Sequence, residues 1–173
     1  QSLQETEALL ALADANPFIL GVVGWVDLRA PDVREHLAQY ARHPKLVGIR
    51  HIVHDEPDDD FLLRPEFRRG LALLADFDLT YDLLLYPKHL PVARELVQMF
   101  PKQRFVLDHL AKPFINAGTL APWDKDLRAL ARHKHVLCKV SGLVTEADRR
   151  GCRPGCRCGR CGGRGGRRRR RAR

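Results

Sequence analysis

Apolar and polar positions alternate along the first 150 residues in two distinct periods. An opening stretch at 2–16 has helical spacing, and short apolar runs then follow at 19–27, 46–51, 79–84, 104–109 and 136–141. Those runs read as strands, and the amphipathic stretches between them, at 31–43, 64–76, 88–100 and 122–133, read as helices. Several of the helices open on a proline or an acidic residue and stop before a proline, as at His43-Pro44 and Phe100-Pro101. The strand centres, such as Phe105-Val106-Leu107 and Leu83-Leu84-Leu85, are continuously apolar. A strand covered on both faces has that pattern, which predicts a parallel sheet.

A strict order of helix, strand, helix and strand builds either an open doubly wound sheet or a closed barrel. No glycine-rich phosphate loop follows any strand, and polar residues recur at the C-terminal ends of the strands, so the barrel is favoured. A complete (β/α)8 TIM barrel needs about 250 residues. Five strands with their helices therefore predict a partial (β/α)8 barrel over 1–150, about five of the eight strands.

The charge changes the picture only at one end. The chain of 173 residues carries a formal net charge of +9, which by itself suggests an anionic partner. Ten arginines and no acidic residue lie in 151–173, however, and the remaining 20 basic side chains face 21 acidic ones. The body is not basic, which argues against a nucleic-acid surface there. Cys152, Cys156, Cys158 and Cys161 also fall in the tail, which contains only Arg, Gly, Cys, Pro and Ala. Such a segment has nothing to bury and is expected to be disordered, the product of a shifted reading frame in a GC-rich gene. A basic arm for nucleic acid or a cysteine-rich zinc knuckle is the alternative, although four ligands within ten residues leave no room for the usual intervening loop.

Cys138 alone remains in the body, as in a cytoplasmic domain without disulfides. No run is long and apolar enough to span a bilayer. The chain opens on Gln1, and its single methionine is Met99, from which an upstream start is expected.

Catalytic groups in a barrel of this kind project from the C-terminal strand ends. Those positions hold Trp25 and Asp27, Arg50 and His51, Asp82 and Tyr86, Asp108 and His109, and Lys139 and Ser141. A neutral imidazole at His109 could bind a divalent metal or move a proton, or it could simply cap a neighbouring loop. Arg50 could clamp a carboxylate or carbonyl while His51 points elsewhere. His36, His43, His133 and His135 lie on helical or helix-terminal stretches and are expected to be solvated. Asp58, Asp59 and Asp60 read as an exposed loop rather than a metal site.

Four segments, 21–27 (GVVGWVD), 47–51 (VGIRH), 105–113 (FVLDHLAKP) and 138–146 (CKVSGLVTE), occur in an order and spacing that resemble one family. It is the amidohydrolase family that includes L-fuconolactonase-like and rhamnonolactonase-like sugar-lactone hydrolases and the 2-pyrone-4,6-dicarboxylate lactonases. The resemblance covers essentially all of 1–150. It implies a (β/α)8 barrel and hydrolysis of a small carbohydrate-like lactone. It places His109 in the active site as metal ligand or carbonyl-polarising catalytic group and Arg50 at the substrate; Tyr86 and Lys139, from their positions at the strand ends, are expected to bind substrate as well. The family's metal is a divalent ion such as zinc, and some members work without one. Its first strand brings a His-x-His pair and its eighth an aspartate acting on the attacking water, and neither is expected among these residues. The chain is accordingly expected to be an inactive part of a lactone hydrolase. The rival expectation is a non-catalytic binding protein whose arginine-rich tail contacts nucleic acid.

Overall fold

The first helix, α1 (Leu3–Ala15), begins where the Ser2 side chain accepts a hydrogen bond from the Glu5 amide, and it buries Thr6, Leu10 and Ala13. That spacing puts one stripe of the helix against β1 (Val22–Gly24). The computed structural model describes residues 1–147, and the tail with its four cysteines lies outside the described residues.

Four further pairs of helix and strand follow. They are α2 (Val33–Tyr40) and β2 (Leu46–Ile52), α3 (Pro65–Leu71) and β3 (Thr80–Leu84), α4 (Leu90–Met99) and β4 (Phe105–Leu107), and α5 (Trp123–Leu130) and β5 (Val136–Cys138). The strands form one sheet in the order β1-β2-β3-β4-β5. Every neighbouring pair is parallel. Each strand therefore lies beside its successor in sequence, with no reversal of strand order, which is the winding of a (β/α)8 TIM barrel and excludes a doubly wound sheet. No helix among the described residues is long and apolar enough to cross a membrane.

The core sits between the sheet and the helices. Tyr81, Leu83, Phe105, Leu107 and Ile49 alternate onto that side of their strands and are fully buried, together with Phe61, Phe67 and Leu96. The aromatic rings form a chain, with Phe61 tilted against Phe67 at 5.1 Å, Phe67 edge-on to Tyr81 at 5.6 Å, and Tyr81 edge-on to Phe105 at 6.4 Å. α4 turns Leu90, Ala93, Leu96 and Val97 inward, the three-and-four spacing of an amphipathic helix. Gly70 on α3 lies so close to the loop at Leu28 that an added Cβ would sit 1.9 Å from the Leu28 carbonyl oxygen.

Several elements are shorter than their apolar runs. The 19–27 run contributes only Val22–Gly24 as strand, because the Thr6 hydroxyl takes up the backbone of Trp25, accepting from its amide at 2.7 Å and donating to its carbonyl at 2.8 Å. The 64–76 helix breaks after Leu71 into a tighter turn at Leu74–Phe77, ended by Asp78 in the left-handed region. The 104–109 strand stops at Leu107, since His109, Leu110, Ala111 and Lys112 all have positive φ. The 136–141 strand stops at Cys138.

Candidate active site at the strand mouth

Alternation along the strands puts Arg50 and Asp82 side by side on the face opposite the helices, and Asp108 follows two residues beyond Val106, the β4 neighbour of Asp82. Asp82 and Asp108 are buried to within 1% of complete. Lys139, just beyond β5, reaches back across β4 to place its Nζ 2.5 Å from Asp82 Oδ2 and 2.7 Å from Asp108 Oδ1. Arg50 Nη1 donates to the other oxygen of Asp108 at 3.2 Å. Two cations and two carboxylates thus tie four strands together at the mouth.

Buried carboxylates need such partners, because desolvation disfavours the charged form. Burial pushes Asp82 above its ordinary value even though Lys139 pulls the other way. Burial also opposes the charge on Lys139, but its hydrogen bonds to Asp108 and Asp82 outweigh that and raise its pKa.

His109 follows Asp108 at the start of the left-handed turn, with φ 53°. Four successive non-glycine residues in this region are costly, at about 1 kcal/mol or more each. The turn is held by the Lys112 amide donating to the His109 carbonyl at 2.9 Å and by Trp123 Nε1 donating to the Leu110 carbonyl at 2.7 Å. His109 Nδ1 lies 2.9 Å from Ser141 Oγ. Its Nε2 has no protein partner among the described residues.

Tyr86 stands beside this turn. Its ring is tilted against His54 at 4.6 Å, and Lys112 Nζ lies over it at 5.4 Å. Lys112 also approaches Glu146 at 3.8 Å, a contact between the loops after β4 and β5. His109, Arg50, Tyr86 and Lys139 therefore all occupy the C-terminal end of the sheet, although Arg50 and Lys139 are engaged by carboxylates rather than unpaired.

Other strand-end candidates do something else. Asp27 accepts from Arg29 Nε at 2.9 Å and from the Arg29 amide at 3.0 Å, a closed local turn; the Arg29 hydrogen bond holds its carboxyl below the ordinary value. His51 points to the helix side, where it stacks on Phe61 at 4.7 Å, accepts at Nδ1 from Trp25 Nε1 at 3.2 Å and meets Glu56 at 2.6 Å. Asp58 and Asp59 pair with Arg64 and Lys88 on the surface. His43 pairs with Asp14 at 3.1 Å and is not simply solvated. His133 and His135 form a His-x-His pair, but they precede β5 and so lie at the end of the sheet away from the mouth.

Sequence reasoning left the carboxylate bridge unassembled. Asp82 and Asp108 each stood out as polar residues on apolar strands, yet nothing in their spacing shows that Lys139 joins them. His54 was missed, and Lys112 and Glu146 fell within segments 105–113 and 138–146 without being singled out, since each lies in a loop without periodic signal.

Comparison with known proteins agrees with this fold. The amidohydrolase family model matches residues 3–158, and the chain belongs to that family. It is 40% identical over 144 residues to an L-fucono-1,5-lactonase of Burkholderia ambifaria, a match covering 83% of this chain and 50% of that protein. It is 44% identical over 156 residues to an L-fucono-1,5-lactonase of Burkholderia multivorans, covering 86% of this chain and 52% of that one. A crystal structure of an amidohydrolase from Burkholderia multivorans with bound zinc superimposes with a TM-score of 0.82 at 44% identity, over 88% of this chain and 55% of the other. The chain spans about half the length of these relatives.

The described residues do not by themselves fit a zinc site. No group of three or more His, Cys, Asp or Glu side chains among them is arranged to hold a metal ion. His109 Nε2 is one available donor, whereas Asp82 and Asp108 are occupied by Lys139 and Arg50.

Proposed function

We propose that residues 1–147 form the part of a lactone hydrolase site that holds and polarises a small sugar-acid lactone. The observation that carries this reading is the coincidence of 44% identity to an L-fucono-1,5-lactonase with a polar, pre-ordered strand mouth containing His109, Arg50 and Lys139. In the reaction, water adds to the lactone carbonyl carbon, the resulting oxyanion is stabilised, and the ring C–O bond then breaks to release the open hydroxy acid. Cations already fixed by carboxylates suit the second step, since they need little reorganisation when charge develops. Arg50 and Lys139 are such cations, and His109 Nε2 faces the mouth as the group that exchanges a proton with substrate or water. Tyr86 supplies an aromatic wall.

The charges in this cluster balance as two positive and two negative. A neutral polyhydroxylated ring fits such a site better than a dicarboxylate, which would need cations not already satisfied. Should a divalent ion take part, His109 is the ligand this unit would offer. The proposed localisation is the cytoplasm, in keeping with the lone cysteine of the body.

The test assays a panel of sugar-acid lactones and a pyrone dicarboxylate with the product of the full reading frame that encodes these residues, with and without zinc. Hydrolysis of neutral sugar lactones is expected, with kcat falling about a hundredfold or more in His109→Ala. The 173-residue chain alone is expected to show no turnover, because groups that act as a unit lose most of the rate when separated. Failure to open any lactone would refute the reading, and turnover indifferent to His109→Ala would refute the assignment of that residue.

A further inference from the structure

The Ser141-Gly142 dipeptide meets the His109 ring from the loop after β5, and its two residues act on the ring differently. Ser141 Oγ is 2.9 Å from Nδ1. Gly142 lies flat against the ring: a Cβ there would fall 2.9 Å from both Cγ and Nδ1, and the residue has a φ of +69° that favours glycine. The ring is therefore bounded by a polar partner at one nitrogen and by backbone at its face.

The backbone that carries the ring is anchored on both sides. Asp108 before it is pinned by Lys139 and Arg50, and the His109 carbonyl after it is held by the Lys112 amide. The Lys139 amide donates to the Leu107 carbonyl at 2.9 Å, so the loop that brings Ser141 is tied to the strand that brings His109. A left-handed turn of four residues is thus fixed against the β5 loop, and the contact left to determine the imidazole's chemistry is the one at Nδ1.

We propose that Ser141 is a positioning residue for His109: its oxygen accepts a hydrogen bond from Nδ1–H, which directs the lone pair of Nε2 into the mouth, and Gly142 leaves the space in which the ring adopts that orientation. Which ring nitrogen carries the proton is set by the bond the other makes, and a hydroxyl oxygen has two lone pairs with which to accept. The proton that would otherwise block Nε2 is kept on the far side of the ring. The inference deepens the proposed function, because a proton-accepting Nε2 is what the hydrolytic role of His109 requires.

The test is the tautomeric state of His109 in the 173-residue chain, read from long-range proton–nitrogen correlations of labelled imidazoles at a pH where the ring is neutral. The His109 signals are assigned by their loss in His109→Gln. In the wild type, Nδ1 is expected to be the protonated, pyrrole-type nitrogen and Nε2 the pyridine-type one. Ser141→Ala should move the tautomer ratio toward Nε2–H by about fivefold, the bias that one neutral hydrogen bond can sustain, while Ser141→Thr should keep the wild-type pattern. A wild type with its proton on Nε2, or a ratio unchanged in Ser141→Ala, overturns the proposal. Gly142→Ala should displace the ring signals, and wild-type signals in that variant would overturn the part assigned to Gly142. None of these readouts needs turnover, so a wild type that opens no lactone refutes the functional reading while leaving this inference to stand or fall by its own signals.

Discussion

Tyr81 and Leu83 on β3 are sealed from solvent, whereas Leu137 on β5 is 69% exposed and Val140 and Val144 beyond it are 77% exposed. β3 has a strand on each edge and α3 and its neighbours over one face, while β5 pairs only with β4 among the described residues. Burial follows from neighbours, and two equally apolar runs reach opposite ends of the scale because one is surrounded. The mouth joins these two regions. Asp82 and Asp108 come from the sealed part, with Arg50 of β2 engaging Asp108, whereas Lys139 and Ser141, which engage the two carboxylates and His109, come from the open strand and its loop.

The sealed side should be the expensive one to damage. Phe105 is fully buried and touches Tyr81 and His135 by its ring. Phe105→Ala should lower the free energy of unfolding by about 3–5 kcal/mol, the sum of lost transfer energy and the cavity left behind. Urea denaturation measures it, and a loss under about 1 kcal/mol would mean the core is loosely packed.

Next in size is the junction itself. Removing a partner from a buried pair costs about 3–5 kcal/mol when both are desolvated. The Lys139 side chain is 41% exposed, so Lys139→Met should cost about 2–3 kcal/mol at neutral pH. The sign with pH is set by Asp82. Burial raises its folded pKa, and losing Lys139 raises it further, so the folded state holds a proton that the unfolded state releases. The variant should be most stable below the unfolded carboxylate pKa and lose stability as pH rises through the folded value. A penalty independent of pH would show that the two carboxylates do not depend on Lys139.

The strand count, the parallel order and the alternation of helix and strand were legible in the sequence, because hydrophobic period and proline stops are local signals. Strand ends were not. The 104–109 run is apolar from Phe105 to Leu107, and the turn in which four residues then take positive φ is held by hydrogen bonds from Trp123 Nε1 to the Leu110 carbonyl and from the Lys112 amide to the His109 carbonyl, which no local pattern shows. For the site, single residues were visible and their grouping was not. His109 and Arg50 stood out as polar ends of apolar strands, yet the Lys139 bridge spans 57 residues to Asp82 and depends on a register that no local pattern contains. His51 carried the same strand-end signal as Arg50 and faces the other way, as the period of two requires.

That reversed face gives a smaller effect. Burial pulls the pKa of His51 below the ordinary histidine range, against the opposing pull of the Glu56 hydrogen bond. Burial likewise lowers His54 and His89. A depressed imidazole contributes stability that is complete above the unfolded pKa and is lost as pH falls through the folded one. Unfolding midpoints should therefore drop as pH is lowered from about 6.5, and His51→Gln should make that slope shallower. An unchanged slope would place the acid sensitivity at other groups.

The smallest effect belongs to β5. Leu137 lies on the face opposite the helices and is 69% exposed, so replacing it removes little apolar surface from contact with protein. Surface substitutions without a packing role usually change stability by less than about 0.5 kcal/mol, and Leu137→Ser is expected within that range. Serine has a lower strand propensity than leucine, but a three-residue strand with one paired edge leaves little for propensity to act on. The measurement matters because it can break the contrast from the other side. In the 173-residue chain, a loss above about 1 kcal/mol, or one that grows with protein concentration, would require an apolar surface seated on Leu137, from a second copy or from further chain. β5 would then be a covered strand like β3, and the exposed side of the mouth would move outward to wherever that cover ends.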